Sequence, residues 1–292
     1  MKGLNNKLIN IVNHYLERIY HTFIAIFYYF KGGAVFVCYF TKIRNVGDLL
    51  NINIIEYYSG KNVVKVPIKS NFKHCLVIGS VLQNMTQRSV VFGSGLIHDS
   101  KAQGIKELGD IRALRGHLTL ECLEKKFNKK INVPLGDPAL LFPKIYNPEI
   151  EAKYNFGLVL HYVDESHNIK ALVEKMGGRV ISVKQSPKSF VDEIKSCKCI
   201  ISSAMHGLIL SDAYDIPNKR VILSDKIVGG NFKFSDYYST TNNPEEQGVD
   251  VSLTPSEDDV MNIIDSCTVK NFIENLSQLE SSLRSIGKLS KL

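Results

Sequence analysis

Several sequence patterns that would identify a chemistry directly are missing from this chain. It contains no GxxxxGK[ST], GxGxxG, HExxH or GxSxG segment, so P-loop, dinucleotide, zincin and nucleophile-elbow chemistry have no support. Its six cysteines form neither a CxxC pair nor a Cys/His cluster with zinc spacing. We therefore expect reduced, buried thiols in a cytosolic protein and predict no metal site.

Long blocks of charge are also missing. The formal net charge is +7 over 292 residues, and no run of five or more like charges occurs. This pattern argues against a nucleic-acid-binding tail, and no nucleic acid partner is predicted. A mildly basic protein suits an anionic small substrate or an anionic membrane surface.

No apolar run is long enough to span a bilayer. In residues 8–30, apolar side chains recur with helical spacing from Leu8 and Val12 onward, but the fully apolar part, 23–30, is far shorter than the roughly 20 residues needed. No small-residue cleavage site follows, so a secretory signal is not expected. Two interpretations stay open: an amphipathic helix in peripheral contact with a membrane, or a helix docked on its own domain or on a second subunit of a homo-oligomer.

Short apolar runs alternate with helical segments along the rest of the chain. The strands are predicted at 34–40, 63–66, 74–80, 89–95, 155–162, 179–183, 199–203 and 219–223, and the helices at 49–58, 101–108, 116–127, 168–176, 189–196, 206–214 and 256–286, with two helices in the last segment. This alternation predicts an α/β fold with parallel sheets covered on both faces. Two prolines in 143–154 suggest a linker there. We predict an N-terminal helix (1–31) and two Rossmann-like domains (32–148 and 149–292) with a cleft between them.

The segment CIISSAMHGLILSDAYDIP (199–217) is the strongest candidate for chemistry. A strand leads into Ser203, and a helix begins around His206 and Gly207. Ligands of open α/β sheets bind at the carboxyl ends of strands, and helix N-termini attract anions. A histidine there could transfer a proton near neutral pH, with a pKa that the helix dipole would lower. The alternative is a histidine packed beneath the loop.

Other strand-end loops carry further candidates. Asp48 could serve the cleft or simply cap a helix. Paired arginines suit bidentate contact with carboxylate or phosphate, or they could begin a solvated helix. Aromatic groups beside a carboxylate suit sugar binding. These loops contribute Asn45, Asp48, Arg112, Arg115, His161, Asp164, Lys233, Asp236 and Tyr237, whereas LGDPALLFP (135–143) is interpreted as structural.

Taken in order, these segments resemble the polysaccharide pyruvyl transferase family, most of all its bacterial ketal-forming members from exopolysaccharide clusters. The resemblance extends over roughly residues 34–240 and leaves out the N-terminal helix and the last fifty residues. The segments that carry it are NVGDLLN (45–51), VFGSGL (91–96), RALRGHLT (112–119), GDPALLFP (136–143), ISSAMHGLILSDAYDIP (201–217) and FKFSDYY (232–238).

The resemblance implies a GT-B-like two-domain fold and a reaction that needs no cofactor. Phosphoenolpyruvate would be the donor substrate, and two hydroxyls of one sugar in a surface polysaccharide, capsule or lipid-linked precursor would receive its pyruvate as a cyclic ketal. The family histidine maps onto His206. Many members carry an arginine where this chain has Ala204, so the cationic role would move elsewhere. We expect a cytoplasmic protein, with peripheral contact at the inner face of the cell membrane left open.

The residues are assigned to three roles. We hypothesise that His206 supplies the proton, that Arg115 pairs with the donor, and that Asp48 or Asp164 orients the acceptor hydroxyl. The assigned residues are His206 and Asp48 for catalysis; Arg112, Arg115, Ser203, Gly207 and Lys233 for donor binding; and Asn45, His161, Asp164, Asp236 and Tyr237 for acceptor binding.

Two rival functions stay open at this point. A glycosyltransferase on the same scaffold would bind a nucleotide-sugar instead of phosphoenolpyruvate. A membrane-bound assembly protein without activity would bind lipid or a partner through residues 8–30 and release no phosphate.

Overall fold

The computed structural model describes residues 2–68 and 70–289, and the side chains of residues 15–68 and 70–289. Within these residues ten strands form two five-stranded sheets in which every strand pair is parallel. The predicted α/β class with parallel sheets is confirmed. The strands are β1 (Ala34–Val37), β2 (Asn62–Lys65), β3 (His74–Leu76), β4 (Ser89–Phe92), β5 (Asp110–Ala113), β6 (Gly157–Leu160), β7 (Arg179–Ser182), β8 (Ile200–Ser202), β9 (Asn218–Ile222) and β10 (Val249–Asp250).

Both sheets have the same strand order. The first reads β2-β1-β3-β4-β5, and the second, read from its other edge, β7-β6-β8-β9-β10. In the first sheet the chain adds β2 on one side of β1 and then places β3, β4 and β5 on the other side. The second sheet repeats this with β7 on one side of β6 and β8, β9 and β10 on the other. The strand order therefore reverses between β1 and β3, and again between β6 and β8. Loops that leave the carboxyl ends of strands at such a switch point form the usual ligand crevice of open α/β sheets.

The described residues contain nine α-helices. They are α1 (Lys2–Lys31), α2 (Val46–Ser59), α3 (His117–Phe127), α4 (Ile169–Lys175), α5 (Pro187–Lys195), α6 (Met205–Ala213), α7 (Phe232–Tyr238), α8 (Glu257–Asp265) and α9 (Leu276–Arg284). The helix predicted at 101–108 is wrong, because a 3-10 helix occupies Asp99–Gly104 instead. The sequence patterns also missed β5, β10 and α7.

Helix α1 packs on the edge of the first sheet through one face only. Ala25 is buried in the core that lies around Phe36, and Glu17 forms a 2.6 Å ion pair with Lys65 of β2. The side chains of Leu8 and Val12, which opened the predicted apolar face, lie outside the described residues. No helix in the described ranges combines the length and the apolar character needed to cross a membrane.

The two sheets share one apolar core. Val37 and Leu50 from the first half belong to the same buried cluster as Leu208 and Ile209 from α6. The amide of Val46, at the start of α2, donates to the carbonyl of Val183 after β7 over 2.7 Å. Helix α9 returns to pack against β4 and β5. The switch points of the two sheets are thus brought together, while the predicted domain limits and the GT-B-like arrangement stay predictions.

Candidate functional site

His206 lies where the two halves of the molecule meet. It occupies the first turn of α6, and its ring packs against Gly47 in the first turn of α2. A methyl group at position 47 would lie 2.1 Å from His206 Nδ1, so only glycine permits this approach. The side chain is 14% exposed. The strand-end histidine therefore faces the junction of the halves.

The other edge of the His206 ring faces Asp137. Its Nε2 lies 3.8 Å from Asp137 Oδ2, and neither atom has a hydrogen-bond partner among the described residues. Burial, followed by the charges of Arg115 and Lys233, lowers the pKa of His206 to about 3. Burial raises the pKa of Asp137 to about 6. The ring is thus neutral at neutral pH in the unliganded protein, with a buried carboxyl group close enough to stabilise a charged ring.

Asp137 is a site residue that the sequence interpretation treated as structural only. One of its oxygens does have the local role: Oδ1 accepts a 2.9 Å hydrogen bond from the amide of Ala139 and caps the 3-10 helix Pro138–Lys144. The second oxygen faces His206 because that 3-10 helix packs against α6. The Asp-Pro pair signals the cap, but nothing local signals the second contact.

Asp48 lies at the rim of the same junction. Asn45 caps α2 by accepting from the Asp48 amide over 3.1 Å, and the Asn45 amide group also donates to the Asp48 carboxylate. Burial raises the pKa of Asp48 to about 7, against the opposing effect of that hydrogen bond. Asp48 in turn raises the pKa of Tyr39 and of Tyr162, although burial is the larger cause for both. Its carboxyl group is therefore close to both halves of the molecule.

Lys233 places a cation beside the histidine. It lies in α7, is 8% exposed, and forms no hydrogen bond or ion pair with any residue in the described ranges. Burial, then the charges of Arg115 and Arg220, lowers the pKa of Lys233 to about 8, and Asp164 opposes this shift. An unpaired, largely buried ammonium group is a natural partner for an anionic ligand.

Arg115 lies beneath the site rather than in its wall. It is fully buried, and its three guanidinium nitrogens donate to Asp236 Oδ2, Ser80 Oγ and the carbonyl of Leu96 over 2.8, 2.6 and 2.7 Å. In this arrangement the guanidinium group is occupied by internal partners, so its direct pairing with a donor anion stays a prediction that the geometry does not support. Its charge still acts on His206 and Lys233.

Arg112 is not brought to the site. It lies on strand β5, where it forms a 2.9 Å ion pair with Asp110 and donates to Ser285 over 2.8 Å. Side chains three positions apart on an extended chain point to opposite faces, which separates Arg112 from Arg115. Its donor-binding role stays a prediction that this position does not support.

Four further predicted residues are enclosed by the protein itself. Asp236 is buried and accepts from Arg115 and Thr119, and Tyr237 is buried in the core with its hydroxyl donating to Asp212 over 2.8 Å. The Gly207 amide donates to the carbonyl of Ala204. A methyl group added at position 207 would lie only 2.3 Å from Ser202 Oγ, so the glycine is closely surrounded. Their internal contacts favour a supporting role for Asp236, Tyr237 and Gly207, and direct substrate contact stays a prediction. Ser203 likewise supports Asp164.

The end of strand β6 contributes the remaining polar groups. His161 is half-buried, and burial followed by the charge of Lys233 lowers its pKa to about 4. Ser203 Oγ accepts from the His161 amide over 2.9 Å and donates to Asp164 Oδ2 over 2.8 Å. Ser224, which the sequence patterns missed, donates to Asp164 Oδ1 over 2.6 Å. Lys233 acts electrostatically on His161, and Asp164 acts on Lys233, which places the three side chains near one another.

These residues define a class of protein: a doubly wound α/β protein in which a buried histidine, carboxyl groups and a lysine meet between two parallel sheets. Comparison with known proteins gives the family. The profile described as "Polysaccharide pyruvyl transferase" matches residues 8–218, so the chain belongs to the polysaccharide pyruvyl transferase family. The resemblance found in the sequence is confirmed, but the match includes most of α1 and ends before FKFSDYY (232–238).

Two curated relatives extend this result. An uncharacterized protein, L143, of Acanthamoeba polyphaga mimivirus is 28% identical over 213 residues, covering 70% of this chain and 74% of that protein. The succinoglycan biosynthesis protein ExoV of Rhizobium meliloti (strain 1021) is 29% identical over 171 residues, covering 57% of this chain and 48% of that protein. The chain thus spans about half the length of ExoV.

Proposed function

We propose that this protein transfers pyruvate from phosphoenolpyruvate to two hydroxyls of one glycan sugar, forming a cyclic ketal and free phosphate. The observation that supports this is the convergence of an unpaired lysine, an imidazole–carboxyl pair and an uncapped helix N-terminus at the junction of the two sheets. The family assignment supports transfer to a polysaccharide.

The charges of the site suit the donor. Phosphoenolpyruvate carries roughly −2.5 to −3 at neutral pH, so its site must supply positive charge. No side chain caps α6, and the amide of Gly207 bonds to Ala204, which leaves the amides of Met205 and His206 for an anion, while Lys233 adds an ammonium group. Arg115 adds its field from below. Lys233 thereby takes the role that the family arginine has where this chain carries Ala204.

His206 would gain its proton affinity from the donor. Burial is the main cause of its low pKa in the unliganded protein, the charges of Arg115 and Lys233 lower the pKa further, and a donor anion would offset both charges. The raised pKa then allows the ring to carry a proton, with Asp137 stabilising the imidazolium at 3.8 Å. Donor binding would therefore favour protonation of the ring.

The bond changes balance without a cofactor. One sugar hydroxyl adds through oxygen to C2 of the enolpyruvyl group, and C3 receives a proton from His206 and becomes a methyl group. A second hydroxyl of the same sugar displaces phosphate from C2, and its proton leaves with the phosphate. Asp48, whose pKa is about 7, accepts the proton of the attacking hydroxyl. His161 and Asp164 orient the acceptor.

Phosphate release tests this function. Phosphoenolpyruvate and a panel of galactosyl-, glucosyl- and mannosyl-terminated oligosaccharides should give free phosphate and a ketal-bearing product in mass spectrometry. His206→Ala should reduce turnover by about 10²–10⁴-fold. His117→Ala, whose ring pairs with Glu274 at the surface, is the matched control and should retain turnover. Unchanged turnover in His206→Ala would remove His206 from the mechanism.

Thermal stability separates the rival function. Phosphoenolpyruvate should raise the melting temperature, whereas uridine and guanosine diphosphates should not. The reverse result would favour a glycosyltransferase that uses a nucleotide-sugar.

We also propose that α1 contacts an anionic membrane surface, where a lipid-linked acceptor would be presented. Its outward face holds more than half of the exposed large apolar side chains of the described residues: Tyr15, Leu16, Ile19, Tyr20, Phe23, Ile26, Phe27, Tyr29 and Phe30. Glu17 is half-buried and neutralised by Lys65, so Arg18 and Lys31 are the charges that this part of the helix exposes. A second subunit is the alternative occupant of this face.

A further inference from the structure

A cavity of about 760 Å³ opens at the carboxyl ends of β6, β9 and β10. Its wall includes Asp164, His167, Ser224, Lys226, Leu253 and Thr254. The volume falls within the range of small-molecule sites. Of these residues, only Asp164 and its partner Ser224 were described with the cluster around His206.

The chemistry of the wall suits a neutral polyol. Hydroxyl, amide and carboxylate groups predominate, and these exchange hydrogen bonds with sugar hydroxyls. The two carboxylates of Asp164 and Asp225 stand against the single ammonium of Lys226, which disfavours a nucleoside diphosphate. Leu253 is 85% exposed at the rim and offers an apolar surface to the carbon face of a sugar ring.

Asp164 belongs both to the wall of the cavity and to the cluster around His206. Asp164 is 3% exposed, and its two oxygens accept from Ser203 on the His206 side and from Ser224 on the cavity side. Asp164 also acts electrostatically on Lys233 and His161. A glycan seated in the cavity would therefore continue directly toward the donor.

We propose that this cavity is a glycan subsite that holds a neutral sugar residue next to the one that receives pyruvate. The proposal rests on the proposed function, because it places the acceptor chain of that reaction. It assigns the loops after β6, β9 and β10 to acceptor length and identity, whereas the groups around His206 act on the reacting sugar.

Saturation-transfer NMR on the full chain tests the subsite with methyl glycosides of glucose, galactose, mannose and N-acetylglucosamine as probes. At least one should receive saturation from the protein. Thr254→Trp fills the exposed rim and should abolish the transfer, whereas Ser281→Trp, on the exposed face of α9, should retain it. Circular dichroism checks that both variants fold. No transfer in the wild type, equal transfer in Thr254→Trp, or displacement of the sugar by uridine diphosphate would each overturn the subsite.

Kinetics keep this proposal apart from the proposed function. Thr254→Trp should raise the acceptor KM by about tenfold or more, with the KM for phosphoenolpyruvate unchanged. Phosphate release that is normal in Thr254→Trp, with an unchanged acceptor KM, overturns the subsite and leaves the function standing. Sugar binding that Thr254→Trp abolishes, in a protein that never releases phosphate, supports the subsite and overturns the function.

Discussion

At position 47 a single hydrogen atom lies where other residues carry a side chain, and the imidazole of His206 occupies the space. Gly47 sits in the first turn of α2 with no left-handed backbone requirement. Position 47 therefore requires glycine because of the neighbouring ring, and not because of its backbone conformation. The ring position is set from the first half of the molecule, although the histidine belongs to the second.

Gly47→Ala should displace the ring without harming the helix, because alanine favours helical backbone. A shift of about 1 Å can reduce turnover by roughly 10²-fold. Turnover should fall in Gly47→Ala and stay normal in Gly104→Ala, where a methyl group meets no atom within 4 Å. Full activity in Gly47→Ala would mean that the ring position has no part in the reaction.

Asp48→Asn should remove a pH-dependent loss of stability. The folded protein raises the Asp48 pKa to about 7, above the ordinary value of about 3.9, so the folded state holds the proton more tightly. The free energy of unfolding therefore falls as pH rises from about 4 to about 7, and the loss persists above that range. Asparagine does not ionise.

Urea unfolding at pH 5 and pH 8 measures this effect. The stability of Asp48→Asn relative to wild type should be greater at pH 8 than at pH 5. The exposed Glu107→Gln is the control and should track wild type at both values. An equal difference at the two pH values would show that burial does not perturb Asp48.

The residues that sequence could assign here are those with a local signal. His206 follows a strand and begins a helix, so its place in the crevice was predictable. Asp137 has a local signal only for its capping oxygen, and its contact with His206 depends on how the 3-10 helix packs on α6. Arg115 and Asp236 form a buried pair 121 positions apart, which no local pattern reports.

Among the elements, α7 matters most to the donor. Lys233→Met keeps the chain length of the side chain and removes its charge. Loss of one charged contact should weaken phosphoenolpyruvate binding by about 10–100-fold. The free energy of unfolding should equal or exceed that of wild type, because methionine carries no charge whose burial costs free energy. Calorimetric titration and melting curves measure both quantities.

The matched control is Lys153→Met, an exposed lysine in the segment that precedes β6. It should bind the donor normally. If Lys233→Met binds phosphoenolpyruvate as tightly as wild type, the donor anion is bound by a different cationic group.

Two of the elements that the sequence patterns missed, β5 and α7, were missed for different physical reasons. β5 is an edge strand with two charged residues in DIRA, so it lacks the apolar run of a central parallel strand. Helix α7 buries Lys233, Phe234, Asp236, Tyr237 and Tyr238, and a helix buried on most sides shows no amphipathic period. The central strands were predictable because burial on both faces gives a continuous apolar run. The amphipathic helices were predictable because burial on one face gives apolar residues at helical spacing.

For the whole molecule, the question is what covers α1. Phe23→Glu combined with Phe27→Glu should abolish sedimentation with vesicles of phosphatidylglycerol and phosphatidylcholine, because each buried phenylalanine contributes about 1.5–3 kcal/mol. The matched control changes Val228 and Ile273, exposed elsewhere, to glutamate and should still sediment.

A different result would assign the face of α1 to the protein itself. If the wild type fails to bind vesicles but forms a dimer that the Phe23/Phe27 variant cannot form, the helix is a subunit contact. Analytical ultracentrifugation distinguishes this outcome.

The pairing of Arg115 with Asp236 also has a consequence for biosynthesis. At about 5–20 residues per second, a ribosome needs roughly 6–24 s to make the 121 positions between them. During that interval the nascent first half holds a guanidinium group that has no carboxylate to accompany it into the interior. Stalled chains ending at residue 218 should therefore be cut by protease within residues 93–119, whereas chains extended through α9 should resist. Resistance of the shorter chains would show that the first half matures before its partner is made.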